Sequence, residues 1–152
     1  MAIDLRGMTP LIQVFDMATS LRFYCDLLGF TIHMHDDNTP ASNHNWVWLR
    51  RGDIELMLNT AYDADERPPS RDARRVAAHD DTTLYFGAPD VEAVYAHLVE
   101  HGIKVGKPKA AYYGMKQLYL HDPDGFGICF QWRADEPADH AAKASQEKPE
   151  TK

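Results

Sequence analysis

Side chains capable of chemistry recur at alternate positions near the end of this chain. In the segment 126–132, bulky apolar residues alternate with small or polar ones. A period of two predicts a half-buried strand, so Cys129 and Gln131 share the face opposite the aromatic residues. A thiol could act as a nucleophile or bind a soft metal, and an amide could orient a bound molecule.

The same alternation turns a carboxylate and several aromatic rings away from the core. In 54–58, Glu55 alternates with aliphatic residues, as Trp48 does in 46–49. Tryptophan can stack on a planar ring or a cation, and Glu55 can pair with an amine or a guanidinium. Broad apolar walls with a few polar groups are typical of a small-molecule pocket. The predicted ligand-contacting residues are Gln13, Trp46, Trp48, Glu55, Met57, Phe86, Tyr119, Cys129 and Gln131.

Each of these residues also has a simpler interpretation. The tryptophans could pack in a core or an interface, and Glu55 could be a solvated charge. Cys129 could be a small buried apolar residue, because no histidine is tied to it in sequence. Alternation alone leaves both interpretations open.

The elements that carry these residues recur in the same order. The predicted strands are 8–15, 30–35, 46–49, 54–58, 82–87, 103–105, 115–121 and 126–132. A helix follows the first strand of each half, capped by Asp16 or Asp90 and ended by Gly29 or Gly102. The capping aspartates lie 74 residues apart and the glycines 73 apart, which predicts a tandem repeat of β-α-β-β-β.

This repeat divides the chain into four parts. The first module covers 1–59, the second covers 82–133, and the crossover 60–81 lacks clear periodicity. A crossover of this length is predicted to be an exposed loop, which either covers a pocket or acts as a plain linker. The remaining 134–152 contain no large apolar residue, so we expect a disordered tail.

Composition excludes several functions. The 152 residues are 44% hydrophobic and carry a net charge of −7, which disfavours nucleic acid as a partner. No apolar run is long enough to cross a membrane. Two cysteines and the absence of a signal-peptide pattern predict a cytoplasmic protein without a disulfide.

Four motifs carry a family resemblance over residues 8 to 132. They are Val14-Phe15-Asp16, Ser20-Leu21-Arg22-Phe23-Tyr24, Leu28-Gly29-Phe30 and Asp122-Pro123-Asp124-Gly125. In this order they resemble the vicinal oxygen chelate superfamily, which includes glyoxalase I, extradiol dioxygenases, fosfomycin-resistance enzymes and bleomycin-resistance binding proteins. The resemblance implies an α+β fold of two tandem βαβββ modules, whose curled mixed sheets enclose a concave site. It also implies a homodimer.

The resemblance further implies where a metal would bind. Metal-dependent members take ligands from four equivalent strand positions, which correspond here to Thr9, Glu55, Thr82 and Cys129. Threonine hydroxyls are poor ligands for a divalent transition metal. The chain therefore resembles the metal-free, bleomycin-resistance-like branch, which binds a small aromatic or cationic molecule without a cofactor and could sequester a drug.

Two alternatives stay open. One is a metal-dependent lyase, isomerase or dioxygenase with relocated ligands, for example His79 and His121 together with Glu55. The other is a sensory or accessory module that binds a metabolite. The fold alone does not separate these functions, because it hosts many of them.

Overall fold

The structure is a computed structural model that describes residues 3–36, 40 and 43–136. The chain divides into two compact units, Met1–Ala73 and Arg74–Lys152. Each unit contains one four-stranded mixed sheet with a helix inserted after its first strand. The predicted α+β fold with two βαβββ modules is thereby confirmed.

The first unit starts with a strand that lies at one edge of its sheet. The strand order is β1-β4-β3-β2, in which β1 pairs parallel with β4 and the other pairs are antiparallel. Its elements are β1 (Leu11–Val14), α1 (Met17–Leu21), a π-helical segment (Arg22–Leu27), β2 (Thr31–His35), β3 (Trp46–Arg51) and β4 (Ile54–Thr60).

The second unit repeats this arrangement. Its strand order is β5-β8-β7-β6, again with a parallel first pair. A short helix, α2 (Ala73–Ala78), lies at the boundary between the units. It is followed by a 3-10 turn (His79–Asp81), β5 (Thr83–Gly87), α3 (Val91–Glu100), β6 (Lys109–Ala110), β7 (Met115–His121) and β8 (Gly127–Arg133).

Capping aspartates and left-handed glycines set the helix boundaries, as the sequence predicts. Asp16 accepts a hydrogen bond from the Thr19 amide, and Asp90 accepts one from the Ala93 amide. Gly29 and Gly102 both have φ of 76°, a conformation that glycine adopts without strain. These signals are local, which is why the sequence reveals them.

The buried faces follow the predicted alternation in most strands. Ile12 and Val14 are buried in β1, whereas Leu11 and Gln13 are exposed. In the second unit, α3 packs on β7 and β8. The buried apolar residues of the strands are Ile12, Val14, Val47, Leu49, Leu56, Leu58, Phe86, Leu118, Ile128, Cys129 and Phe130.

Three elements differ from the expectation. The first helix widens into a π-helical segment, in which the Leu28 amide bonds the Phe23 carbonyl at 3.0 Å. The predicted strand 103–105 is absent, and β6 at Lys109–Ala110 is the second strand of the second module instead. The crossover 60–81 contains α2, so it is not simply a loop.

Parts of the chain lie outside the described residues. They include 37–39, 41–42 and 137–152, and the last of these ranges belongs to the predicted tail. Among the described residues, none of the helices combines the length and the apolar character that a bilayer crossing requires.

Candidate functional site

The first open face is the side of the first sheet whose residues alternate with the buried ones. Across β3 and β4, Arg50 lies opposite Glu55 and Trp48 lies opposite Met57. Trp46 and Gln13 both lie opposite Asn59, from β3 and β1 respectively. The strand register therefore places five predicted residues on this face: Gln13, Trp46, Trp48, Glu55 and Met57.

Glu55, the carboxylate of this face, already has two partners. Nε and Nη2 of Arg50 donate to Oε1 at 3.0 and 2.7 Å. The Thr9 hydroxyl donates to Oε2 at 3.1 Å. The hydrogen bond from Arg50 is the main reason why the pKa of Glu55 lies below its ordinary value. A cationic ligand would therefore have to compete with Arg50.

The tryptophans form an aromatic wall beside this ion pair. Trp46 and Trp48 have ring centroids 6.5 Å apart, and His33 contacts Trp48 edge-on at 5.6 Å. Both indoles are half-buried. The Trp48 Nε1 is buried without a hydrogen-bond partner among the described residues. Because this nitrogen is not accessible, a bound molecule would contact the wall through the exposed parts of the two indole rings.

The second open face is the corresponding side of the second sheet, and it carries neutral groups. Tyr85 of β5 and Tyr119 of β7 both lie opposite Cys129 of β8. The two tyrosine hydroxyls are 3.2 Å apart, and Cys129 is fully buried. Burial raises the pKa of the Cys129 thiol, and the hydrogen bond with Tyr85 raises the pKa of Tyr119. Cys129 is therefore a protonated thiol and a weak nucleophile.

A chain of hydrogen bonds extends along the same face. Gln117 Nε2 donates to Gln131 Oε1 at 2.8 Å, and the Tyr113 hydroxyl donates to Gln117 Oε1 at 2.7 Å. Gln117 is 7% exposed. The structure thus brings Tyr119, Cys129 and Gln131 together as predicted, and it adds Tyr85 and Gln117 to them.

Two predictions for β5 are wrong. Phe86 lies opposite Phe130 on the buried face, where their ring centroids are 5.6 Å apart. Thr82 precedes β5, and its carbonyl accepts the Gly127 amide at 2.9 Å. The threonine on the open face is Thr83, whose Oγ1 lies 2.5 Å from the position of an ideal Cβ on Gly127. The capping aspartates are 74 residues apart. The same separation counted from Thr9 leads to Thr83 and therefore predicts the face of β5 that the structure leaves open.

The side chains at the family's metal positions do not fit a divalent transition metal. Glu55 is bonded to Arg50 and Thr9, Cys129 is a neutral thiol beneath two tyrosines, and the remaining positions offer hydroxyls. In the described ranges, no group of three or more His, Cys, Asp and Glu residues is placed to hold a metal ion.

The relocated metal ligands considered above have other partners. His79 stacks on Phe126 at 4.0 Å, and its Nδ1 lies 2.7 Å from the Asp124 carbonyl oxygen. His121 pairs with Asp80 at 2.6 Å. These contacts orient both imidazoles toward neighbours within the second unit.

A cavity at the end of β1 corresponds to one of the two predictions for the crossover, that it covers a pocket. Its volume is about 540 Å³, and part of the crossover lines it. Arg67 bonds Asp16 at 2.6 Å, and the Arg67 and Arg71 guanidiniums lie 5.6 and 5.9 Å from the centre of the Phe15 ring. The arginine-rich composition of the crossover is the only sequence signal that could have indicated these contacts.

Comparisons with known proteins agree with this architecture. The uncharacterized protein YaeR of Escherichia coli (strain K12) is 33% identical over 121 residues, which cover 74% of this chain and 84% of YaeR. The solved structure of SMU.1112c is 28% identical and has a TM-score of 0.65, covering 85% of this chain and all of its own. A bleomycin-binding protein solved with bleomycin is 21% identical and has a TM-score of 0.62, covering 85% of this chain and 99% of its own.

The family model for the Glyoxalase/Bleomycin resistance protein/Dioxygenase superfamily matches residues 8–130. That span includes both capped helices and all of the strands except the last three residues of β8. The chain therefore belongs to the Glyoxalase/Bleomycin resistance protein/Dioxygenase superfamily.

Proposed function

We propose that this protein binds a small aromatic or cationic molecule without a metal ion. The observation that carries the proposal is that Arg50 and Thr9 both donate hydrogen bonds to the Glu55 carboxylate. This carboxylate lies beside the open aromatic wall of Trp46 and Trp48. A metal ion would have to displace the Arg50 guanidinium without any gain from the indoles, whereas an organic molecule that displaces it can also stack on Trp46 or Trp48.

The proposed contacts follow from the side chains of the first open face. A planar ring would stack on Trp46 or Trp48. A cationic group would exchange with Arg50 at Glu55. The fold similarity to the bleomycin-binding protein makes sequestration of a drug one form of this function.

Tryptophan fluorescence tests the proposal directly. The chain has three tryptophans, and Trp132 lies outside the aromatic wall. We expect proflavine, a planar cation, and bleomycin to quench the wild-type emission in a saturable manner. Trp46→Phe/Trp48→Phe should abolish the quenching, whereas Trp132→Phe should retain it. Saturable quenching that persists in the double variant would contradict a site on this face.

Metal analysis separates the proposal from the enzyme alternative. Protein purified without chelator should lose any divalent ion on dialysis and keep its affinity for proflavine. A stoichiometric divalent ion that survives dialysis would overturn the metal-free function. The chemistry of Thr9, Glu55, Thr83 and Cys129 predicts the first result.

A further inference from the structure

We infer that the second unit contains its own subsite for a small organic carboxylate. A cavity of about 270 Å³ lies between the loop before β6 and the open face of β7. Gly106, Ala110 and Ala111 form small-residue walls, and Gln117 and Tyr119 contribute polar groups. This inference goes beyond the proposed function, because it assigns to the second unit a separate site with its own class of ligand.

The charge of the cavity identifies an anion as the ligand. Lys107 and Lys109 line the cavity, and no carboxylate of the described part of the chain lines it. Both lysines are exposed, and neither has an ion-pair partner among the described residues. The net charge of the whole chain is −7, whereas the two unpaired ammonium groups make the surface beside this cavity locally positive. Such a site attracts anions and repels cations.

The neutral groups of the cavity provide hydrogen bonds for a carboxylate. Gln117 donates one amide hydrogen to Gln131, which leaves the second hydrogen of Nε2 for another acceptor. Tyr113 holds the Gln117 carbonyl oxygen, so the amide is fixed with its nitrogen as the donor. The Tyr119 hydroxyl lines the same cavity and forms a hydrogen bond with the Tyr85 hydroxyl, in which either oxygen can be the donor.

The size and lining of the cavity limit the rest of the ligand. Pockets for drug-sized molecules are typically about 300–1,000 Å³, so a volume of about 270 Å³ suits a smaller molecule. The walls formed by glycine and alanine favour a flat apolar body. We therefore expect a single planar ring or a short branched chain that carries one carboxylate.

Three probes of equal shape test the charge preference. Benzoate, benzamide and benzamidine share one planar ring and differ in charge, and NMR titration of the full isotope-labelled chain measures their binding. We expect benzoate to bind about fivefold more tightly than benzamide and benzamidine to bind most weakly. The largest amide shifts should occur at Lys109, Ala110 and Gln117.

Matched double variants assign the preference to the cavity. Lys107→Ala/Lys109→Ala should weaken benzoate binding about fivefold, to the level of benzamide. Lys104→Ala/Lys116→Ala has the same net charge but removes lysines outside the cavity, so it should leave benzoate binding unchanged. All four lysines are on the surface, and the variants should fold normally.

Three results would overturn the inference. They are benzamidine binding as tightly as benzoate, an equal loss in both double variants, and no binding of any probe at millimolar concentration. Each leaves the proposed function to be judged by tryptophan quenching on the other sheet. Conversely, loss of quenching with an intact benzoate preference would reject the aromatic wall and keep the carboxylate subsite.

Discussion

The two sheets share a plan and differ in chemistry at their centres. In each sheet the last strand lies between a parallel neighbour and an antiparallel one. On the open face of the first sheet, the antiparallel pair carries the ions Arg50 and Glu55. On the second, it carries the neutral side chains Tyr119 and Cys129. The repeat therefore preserves strand order and face alternation, while each module acquired its own polar groups.

The register of the parallel pairs also differs between the sheets. Leu11 and Tyr85 each lie five residues before a capping aspartate, but Leu11 pairs with Met57 and Tyr85 pairs with Cys129. Leu11 and Tyr85 are 74 residues apart, whereas their partners Met57 and Cys129 are 72 residues apart. A shift of two residues keeps every side chain on its face, because the strand period is two. The shift nevertheless brings Thr83 against Gly127, whereas Thr9 lies against Glu55.

The hairpin turns between the last two strands offer the largest expected effect. Gly52 and Gly125 both have positive φ, 58° and 91°. An ideal Cβ on Gly52 meets nothing within 4 Å, but one on Gly125 would overlap the Val76 carbonyl and lie 2.8 Å from Val76 Cγ1. We expect Gly125→Ala to cost about 4 kcal/mol, from the left-handed conformation and the overlap together. Gly52→Ala should cost about 1 kcal/mol.

Urea denaturation of both glycine variants measures the difference. The additional free-energy cost at Gly125 arises from its close approach to Val76 of α2. This helix lies in the segment that the sequence predicts to be a loop. Equal costs in the two turns would show that α2 does not pack on the Asp122–Gly125 turn in solution. The same turn also receives Arg75, which lies 3.7 Å from Asp124, and His79.

These contacts mark the limit of what the sequence could predict. Caps, glycine termini and period-two alternation depend on neighbouring residues, and they gave the module order, most strands and the first open face. Arg50 as the partner of Glu55 depends on a β3–β4 register that no local pattern specifies. The prediction of which face β5 buries was wrong for a related reason. Thr82 and Thr83 are the same residue type, so only the position of the capping residue Asp90 could show which of them corresponds to Thr9.

The helix caps provide a second comparison. Among the described residues, the Asp90 carboxylate accepts a hydrogen bond from the Ala93 amide, whereas the Asp16 carboxylate accepts hydrogen bonds from the Thr19 amide, the Thr19 hydroxyl and Arg67. We expect Asp90→Ala to cost about 1 kcal/mol and Asp16→Ala about 2 kcal/mol, within the usual range for caps. Urea denaturation at pH 7 measures both values.

The Asp16 contribution should also depend on pH. The hydrogen bond from the Thr19 side chain is the main cause that lowers the pKa of Asp16 in the folded protein. A lowered folded pKa means that the stabilisation is complete above the ordinary aspartate value of about 3.9 and declines as the pH falls below it. The gap between wild type and Asp16→Ala should therefore narrow at pH 3. A gap that is unchanged between pH 7 and pH 3 would contradict this account of the cap.

The neutral centre of the second sheet can be tested through its thiol. Cys129 is covered by Tyr85 and Tyr119, while Cys25 on the π-helical segment is partly exposed and has its pKa raised to about 11, mainly by burial. We expect Tyr85→Ala/Tyr119→Ala to speed alkylation of Cys129 by on the order of tenfold, because access increases. Alkylation of Cys25 should stay the same, which makes it an internal control in mass spectrometry. Fast labelling of Cys129 in the wild type would show that the tyrosines do not cover it.

The ion pair of the first sheet gives the smallest effect and the most direct link to ligand class. If Arg50 competes with cationic ligands for Glu55, then Arg50→Ala should raise the affinity for proflavine about fivefold, a modest change typical of a partly exposed pair. Glu55→Gln should lower this affinity, and Tyr119→Phe on the other sheet should leave it unchanged. Fluorescence titration at two salt concentrations should show the gain shrinking at high salt, because screening weakens exposed charges. If Arg50→Ala instead weakened proflavine binding, the guanidinium would contribute to the binding surface and would not compete with the ligand for Glu55.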